Sequence, residues 1–374
     1  MRIDTFEMER MQSLWENVIE YNLSESGVMP VTLRELVASG LDLDALLDTS
    51  LGYSQSNGTI ALREKLAALY PGATIDNIEV TNGTSEANYL VGLTQLQSGD
   101  ALAFETPNYM QLWGESKSLG ADVRAFSLQP SSEWEPNWDE FERATSRNVR
   151  LVYVSNPNNP SGAILSTESM QRIVRRCEEI GAYLIADEVY AGAEIDGSQT
   201  QTFWGLSERV IVTSGLSKSW GIPGVRIGWI VGPRDVIADC WAHHDYLTIC
   251  PSKLSDEIAQ IAVTPENRAR YHHRTRTLLS KNVAIVDQWA GECEGVRVWH
   301  KPRAGAICLV AYDAAIGSVE LAEQIRSRQS TLVVPGLYLG IEGYIRIWFG
   351  GEEDYLREGL RRVGLELTSS SSTT

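Results

Sequence analysis

The chain reads as an α/β protein, a three-layer α/β/α large domain on a mainly parallel sheet with a smaller α+β domain beside it. Three observations predict this. Short apolar runs of strand type at 78–81, 101–104, 123–126, 149–154, 183–186 and 210–212 alternate with helical patterns at 86–97, 110–119, 139–145 and 170–180. Beyond about residue 232 the alternation gives way to long helical patterns at 235–246 and 268–289, and then to short strands at 306–310, 332–334 and 344–348 among helices at 318–328 and 354–363. The chemically notable residues Tyr109, Asn159, Asp187, Tyr190 and Lys218 fall at the carboxyl ends of strands, where a doubly wound sheet binds its ligands.

The segment ahead of the alternation carries Phe6, Met11, Leu14, Trp15 and Val18 at helical spacing, so a packing helix is expected over 6–21. A second helical pattern covers 32–47, opened by Thr32 and Glu35 as a capping box. A glycine-flanked loop at 51–58 with Tyr53 in its middle leads into a helix at 60–70. Residues 1–45 are expected to join the small domain, 46–265 to form the large one, 266–367 the small one, and 368–374 a disordered end.

Composition excludes several classes. The net charge is −17, and a nucleic-acid partner would require clustered Lys and Arg that this chain lacks. Cys177, Cys240, Cys250, Cys293 and Cys308 show no CxxC pair and no metal-ligand spacing, so reduced thiols and no metal are expected. The first ten residues include acids where a signal peptide needs an apolar stretch, and no run of about 18 apolar residues occurs. The expectation is a cytoplasmic protein with neither a membrane nor a nucleic-acid partner.

The chemistry concentrates at 207–231. Lys218 lies between two apolar runs, among serines and glycines, where an ammonium can be desolvated and its pKa lowered as Schiff-base chemistry requires. Arg226 follows eight residues later as a second cation, after Pro223-Gly224. Upstream, the strand at 78–81 breaks at Asn82-Gly83-Thr84-Ser85 into a helix start, which is an anion site by geometry. The loop Ser155-Asn156-Pro157-Asn158-Asn159-Pro160-Ser161-Gly162 and the tetrapeptide Asp187-Glu188-Val189-Tyr190 follow later strands.

Taken in order, these segments resemble the class I/II aminotransferases of fold type I, the aspartate aminotransferase superfamily of pyridoxal-phosphate enzymes, from about Tyr53 to Arg346. The resemblance implies pyridoxal 5′-phosphate as cofactor, held as a Schiff base on Lys218. It implies Asp187 against the pyridinium nitrogen, Asn159 and Tyr190 on the ring oxygen, and Tyr109 stacked on the ring. Gly83, Thr84 and Ser85, with Ser217 and Arg226, would hold the phosphate. Tyr53 would reach the phosphate of the other subunit, which implies a homodimer with shared active sites. Arg346 would clamp the substrate α-carboxylate, a planar group that suits a guanidinium. The implied reaction transfers the α-amino group of an amino acid to a 2-oxo acid, with Lys218, Asp187 and Tyr190 as catalytic residues and Arg346, Gly27 and Asn159 binding substrate.

One stretch departs from the common pattern. Ser24-Glu25-Ser26-Gly27-Val28 is similar to the capreomycidine synthase-like branch, whose members act on arginine derivatives by elimination with ring closure. That resemblance leaves a second outcome open: elimination, cyclisation or oxidation of an arginine-like or hydroxy amino acid. Glu25 or Asp245 would then meet a polar or cationic side chain.

Overall fold

The protein is described from a computed structural model that covers residues 3–371. The N-terminal segment holds α1 (Glu7–Trp15), β1 (Tyr21–Asn22), α2 (Leu33–Ala38), α3 (Leu43–Leu47) and α4 (Ile60–Ala67). There follow β2 (Ile78–Thr81), α5 (Thr84–Gln95), β3 (Ala101–Thr106), α6 (Gln111–Ser118), β4 (Asp122–Gln129), β5 (Glu135–Pro136), α7 (Trp138–Ala144), β6 (Val149–Ser155), α8 (Thr167–Ile180), β7 (Tyr183–Asp187), β8 (Val210–Gly215) and β9 (Gly228–Val231). The remainder is α9 (Arg234–His244), α10 (Lys253–Ala262), α11 (Pro265–Glu292), β10 (Val296–Trp299), β11 (Ile307–Tyr312), α12 (Ser318–Gln329), β12 (Thr331–Leu332), β13 (Val334–Pro335), β14 (Tyr344–Trp348) and α13 (Glu353–Ser371).

The large sheet has the order β2-β9-β8-β7-β6-β3-β4-β5. Its centre, from β8 to β4, is parallel, while β9 runs antiparallel to both β8 and β2 and β5 runs antiparallel to β4. The predicted α/β class with a mainly parallel sheet is therefore the observed one. Both faces are covered, which is why β3 and β8 are buried along their whole length and open with the apolar runs 101–104 and 210–212. On one face Leu102, Phe104, Leu151, Ile185, Ile211 and Ile230 pack with Ala87, Leu90 and Val91 of α5 and Val236 and Ile237 of α9. On the other, Ala103, Val152, Ala186, Val212 and Trp229 pack with Ile173 and Val174 of α8.

The smaller sheet, β10-β11-β14-β13, is antiparallel throughout, and its core joins Cys308, Val310, Ile345 and Ile347 to Leu321, Leu356 and Leu360. The N-terminal segment serves both cores. β1 pairs with β12, and Leu23 and Val28 enter the small core, whereas Leu36 and Leu41 enter the large one.

Several expected elements are redrawn. The helix expected over 32–47 divides into α2 and α3 at Gly40, whose φ of +99° no helix accepts, although the Thr32–Glu35 capping box is present. The helix expected over 6–21 stops at Trp15. The strand expected over 332–334 is two strands with different partners, β12 on β1 and β13 on β14. Of the end expected to be disordered from residue 368, α13 covers the part through Ser371, with Leu367 in the small core just before it, and residues 372–374 lie outside the described residues.

His272 on α11 gives the fold a pH limit. It is buried, its ring stands edge-on to Trp220 at 4.6 Å and 72°, and its Nε2 has no hydrogen-bond partner. Burial, with Arg268 and Arg276 nearby, pushes its pKa from 6.5 to about 4. The unfolded chain therefore takes up a proton near 6.5 that the folded chain refuses until about 4, so this contribution to stability is intact above 6.5 and declines across that window. His272→Gln is expected to flatten the stability-versus-pH curve there, measured by urea denaturation, and an unchanged slope would show that His272 does not titrate as argued.

Candidate active site

The site is assembled where the parallel strands end. β2 leads into Asn82 and Gly83, and α5 starts at Thr84 with Gly83 as its N-cap at φ +93°. The turn lies so close to β9 that a Cβ on Gly228 would collide with the backbone of Gly83 and Thr84, and a Cβ on Gly83 would collide with the Arg226 guanidinium. Small residues thus bring the free N–H groups of a helix start against a cation. Arg226 is fixed there by Nη1 donating to the Pro223 carbonyl at 3.1 Å and Nη2 to the Asn82 carbonyl at 3.4 Å. The Thr84 hydroxyl is buried and has no partner.

Lys218 follows β8. Its Nζ donates to Ser26 Oγ at 2.7 Å, and its pKa is lowered first by burial, with Arg346 and Arg226 adding to the effect against the opposing charges of Glu25 and Glu9. Asp187 ends β7 and is buried. Its Oδ2 accepts from Asn88 Nδ2 at 2.9 Å and from the Tyr153 hydroxyl at 3.3 Å, and its Oδ1 accepts from the Val189 N–H at 3.1 Å. Burial raises its pKa, and those three donors oppose the rise. The buried Tyr190 hydroxyl has no hydrogen-bond partner, and burial pushes its pKa up to about 12.

Arg346, on β14 of the small sheet, is fully buried. Its Nη1 donates to Asn159 Oδ1 at 3.1 Å, and its Nη2 donates to the carbonyls of Ser24 at 2.5 Å and Glu25 at 3.5 Å. Ser24 to Gly27 therefore form a strap over the site. At Gly27 a Cβ would stand a tight 3.2 Å from the Ser217 carbonyl, and the Gly27 carbonyl accepts from Trp348 Nε1.

Thr84, Ser85, Tyr109, Asn159, Asp187, Tyr190, Ser217, Lys218 and Arg226 line one cavity of about 270 Å³. Gly83, Gly27 and Arg346 stand directly behind its wall, against Arg226, Lys218 and Asn159 respectively. Tyr53 is elsewhere: it is 87% exposed and not part of the wall. The side chains of Glu25 and Asp245, the carboxylates expected to meet a substrate, are both exposed and off the wall. The acid in the wall besides Asp187 is Glu9 on α1, whose Oε1 accepts from the Tyr109 hydroxyl at 2.8 Å.

Sequence reasoning also missed the supports. Asn88 lies four residues after Thr84 on the same face of α5, a spacing that could have marked it. Its Oδ1 accepts from Thr213 Oγ1 at 2.7 Å, which aims its amide at Asp187. Buried Glu105 gathers Asn108 Nδ2 at 3.0 Å, Asn158 Nδ2 at 2.9 Å and the Ser155 N–H at 3.2 Å, and so pins the loops carrying Tyr109 and Asn159. No sequence pattern announces a carboxylate inside an apolar strand as a hub.

Over residues 22–363 the chain matches the family described as Aminotransferase class I and II. The chain belongs to that family. It is 30% identical to capreomycidine synthase of Streptomyces vinaceus over 362 residues, 92% of this chain and 89% of that protein. It is 28% identical to valine–pyruvate aminotransferase of Mycobacterium tuberculosis over 361 residues, 91% of this chain and 88% of that one. A crystal structure of a PLP-dependent aminotransferase from Streptococcus suis shares the fold at a TM-score of 0.92 and 28% identity, covering 99% of both chains. The cofactor of this family member is pyridoxal 5′-phosphate. The cavity suits it: the Thr84 and Tyr190 hydroxyls in its wall are buried without partners, and Gly83 and Gly228 let the start of α5 stand against the Arg226 guanidinium where a phosphate would be held.

Asn88→Ala removes a buried donor from Asp187 and the acceptor of Thr213 together. It is expected to lower kcat/KM about tenfold, the weight of one hydrogen bond to a charged group. Steady-state kinetics check it, and an unchanged kcat/KM would show that Asp187 needs no such support.

Proposed function

We propose that the protein is an aminotransferase that moves the α-amino group of an amino acid to a 2-oxo acid. The observation that carries this is Lys218: an amine with a lowered pKa, in a cavity whose wall also holds Asp187 and Arg226, with Arg346 directly behind. Bound pyridoxal 5′-phosphate supplies the carbonyl that takes the amino group and an electron sink for charge left at the substrate Cα.

The chain's residues supply binding and proton transfer. The N–H groups of Thr84 and Ser85, with Ser217 and Arg226, form the phosphate cup. Asp187, held by Asn88, Tyr153 and the Val189 N–H, offers a carboxylate to the cofactor's ring nitrogen. Tyr190 and Asn159 would hydrogen-bond the ring oxygen, and Tyr109, in the same wall, would pack on the ring. Arg346, its plane set by Asn159 and the Ser24 carbonyl, receives the α-carboxylate. Lys218, as a free amine, would take the proton from the substrate Cα and hand it to the cofactor's aldehyde carbon, and its lowered pKa suits that exchange. In this reading Tyr53 reaches the phosphate of a partner subunit in a homodimer, and exposed Leu51, Tyr53 and Tyr246 belong to the covered surface. A cytoplasmic setting is supported by five unpaired thiols, and no helix among the described residues is long and apolar enough to cross a membrane.

Glu9 favours a second reading. A carboxylate in the wall suits a cationic substrate side chain, and the 30% identity to capreomycidine synthase points to elimination, ring closure or oxidation of an arginine-like or hydroxy amino acid. One experiment separates the two. Amino acids are added singly to the holoenzyme while absorbance, ammonia and oxygen are followed. Transamination predicts stoichiometric conversion of the cofactor from its aldehyde to its amine form with no ammonia. Turnover with the aldehyde form retained, seen as ammonia release, oxygen uptake or a product one water lighter by mass spectrometry, would overturn it in favour of the second reading.

A further inference from the structure

α9 ends in His244, a fully buried histidine far from any role in the chemistry described above. Its Nδ1 is 2.7 Å from Glu79 Oε1 on β2, and its Nε2 is 2.9 Å from Thr248 Oγ1 and 3.3 Å from Glu86 Oε2 on α5. The Thr248 hydroxyl donates to Glu86 Oε1 at 2.7 Å and accepts from Asn82 Nδ2 at 2.7 Å. A hydroxyl has one proton, and this one faces Glu86, so the hydrogen between Thr248 and His244 belongs to Nε2. Nδ1 faces Glu79 Oε1, and although burial raises the Glu79 carboxyl to about 7, the histidine is the stronger base of the pair, so the shared proton sits on the ring, an imidazolium. Burial opposes that charge, but Glu79 and Glu86 prevail and push the pKa up to about 9.

The cluster touches the phosphate cup. Glu86 Oε2 accepts from the Asn82 N–H at 2.5 Å and from Asn82 Nδ2 at 3.0 Å, while the Asn82 carbonyl accepts from Arg226 Nη2 at 3.4 Å. Glu86 sits in the first turn of α5, beside the N–H groups that would hold a phosphate dianion. Burial works against its ionisation, yet His244, the Asn82 N–H and Thr248 lower its pKa to about 2. An ionised carboxylate there repels a phosphate unless a cation cancels it.

We infer that His244 is a positioning residue for the cofactor phosphate. It cancels the charge of Glu86 and, through Glu86 and Thr248, holds the Asn82-Gly83-Thr84 turn in register with Arg226. The inference rests on reading this cavity as the cofactor site.

The full-length protein, stripped of cofactor, is titrated with pyridoxal 5′-phosphate and separately with pyridoxal, which lacks the phosphate. His244→Gln is expected to weaken pyridoxal 5′-phosphate about tenfold or more while changing pyridoxal by less than about twofold, because only the former carries the charge at issue. Adding Glu86→Gln to His244→Gln is expected to restore part of the lost affinity by removing the uncancelled carboxylate. Equal loss for both ligands, the mark of a merely structural role, would overturn the inference, as would no loss for either. If His244→Gln does not fold, His244→Asn removes the same charge and is judged by the same selectivity. Failure of the unaltered protein to bind pyridoxal 5′-phosphate would count against the cofactor reading itself.

Discussion

The turn from β2 into α5 has to pass in contact with β9, and much of the surrounding structure follows from that approach. Gly83 and Gly228 permit it where any side chain would collide, and a Cβ on Gly215 would stand 2.5 Å from Thr84 Oγ1. The result is a helix N-terminus with free N–H groups whose dipole points at the cavity, beside a cation that the same turn holds by its carbonyl. Arg226 adopts a left-handed backbone at φ 53° to stay there. An anion is what such a place lacks.

The cavity concentrates charge that burial penalises. Lys218, Arg226 and Arg346 bring three cations to or behind one wall, and Asp187 adds a buried carboxylate. Removing such groups from water is costly unless partners replace the solvent. The chain supplies some of them: Ser26 for Lys218, the Ser24 and Glu25 carbonyls for Arg346, and Asn88 and Tyr153 for Asp187. A phosphate and a substrate carboxylate would supply the rest. Because Arg346 comes from the small sheet, the strap from the N-terminal segment, and Lys218 from the large sheet, the site exists only where all three meet.

The alternation of apolar runs and helical patterns was legible because strands covered on both faces carry their burial in one-dimensional sequence. The cavity residues were legible too, since Asn159, Asp187, Lys218 and Arg226 stand in short ordered segments at strand ends. What escaped depends on three-dimensional register. Asn88 and Tyr153 reach Asp187 from a helix and a neighbouring strand, and Glu105 collects amides from two loops. Glu9 was hidden because the pattern of α1 shows an apolar face and not what its polar face meets. Glu25 meets the site in two ways that its position in the sequence does not show, by its backbone carbonyl on Arg346 and by its charge acting on Lys218. α10 was not anticipated, and the last turns of α13 look low in complexity although Leu367 anchors them.

The account turns on one atom, Lys218 Nζ. The most direct measurement is borohydride reduction of the holoenzyme followed by digestion and mass mapping of the cofactor-bearing peptide. The account predicts a single adduct on the peptide that contains Lys218, with the amine of that residue modified. An adduct on another lysine, or none, would contradict it.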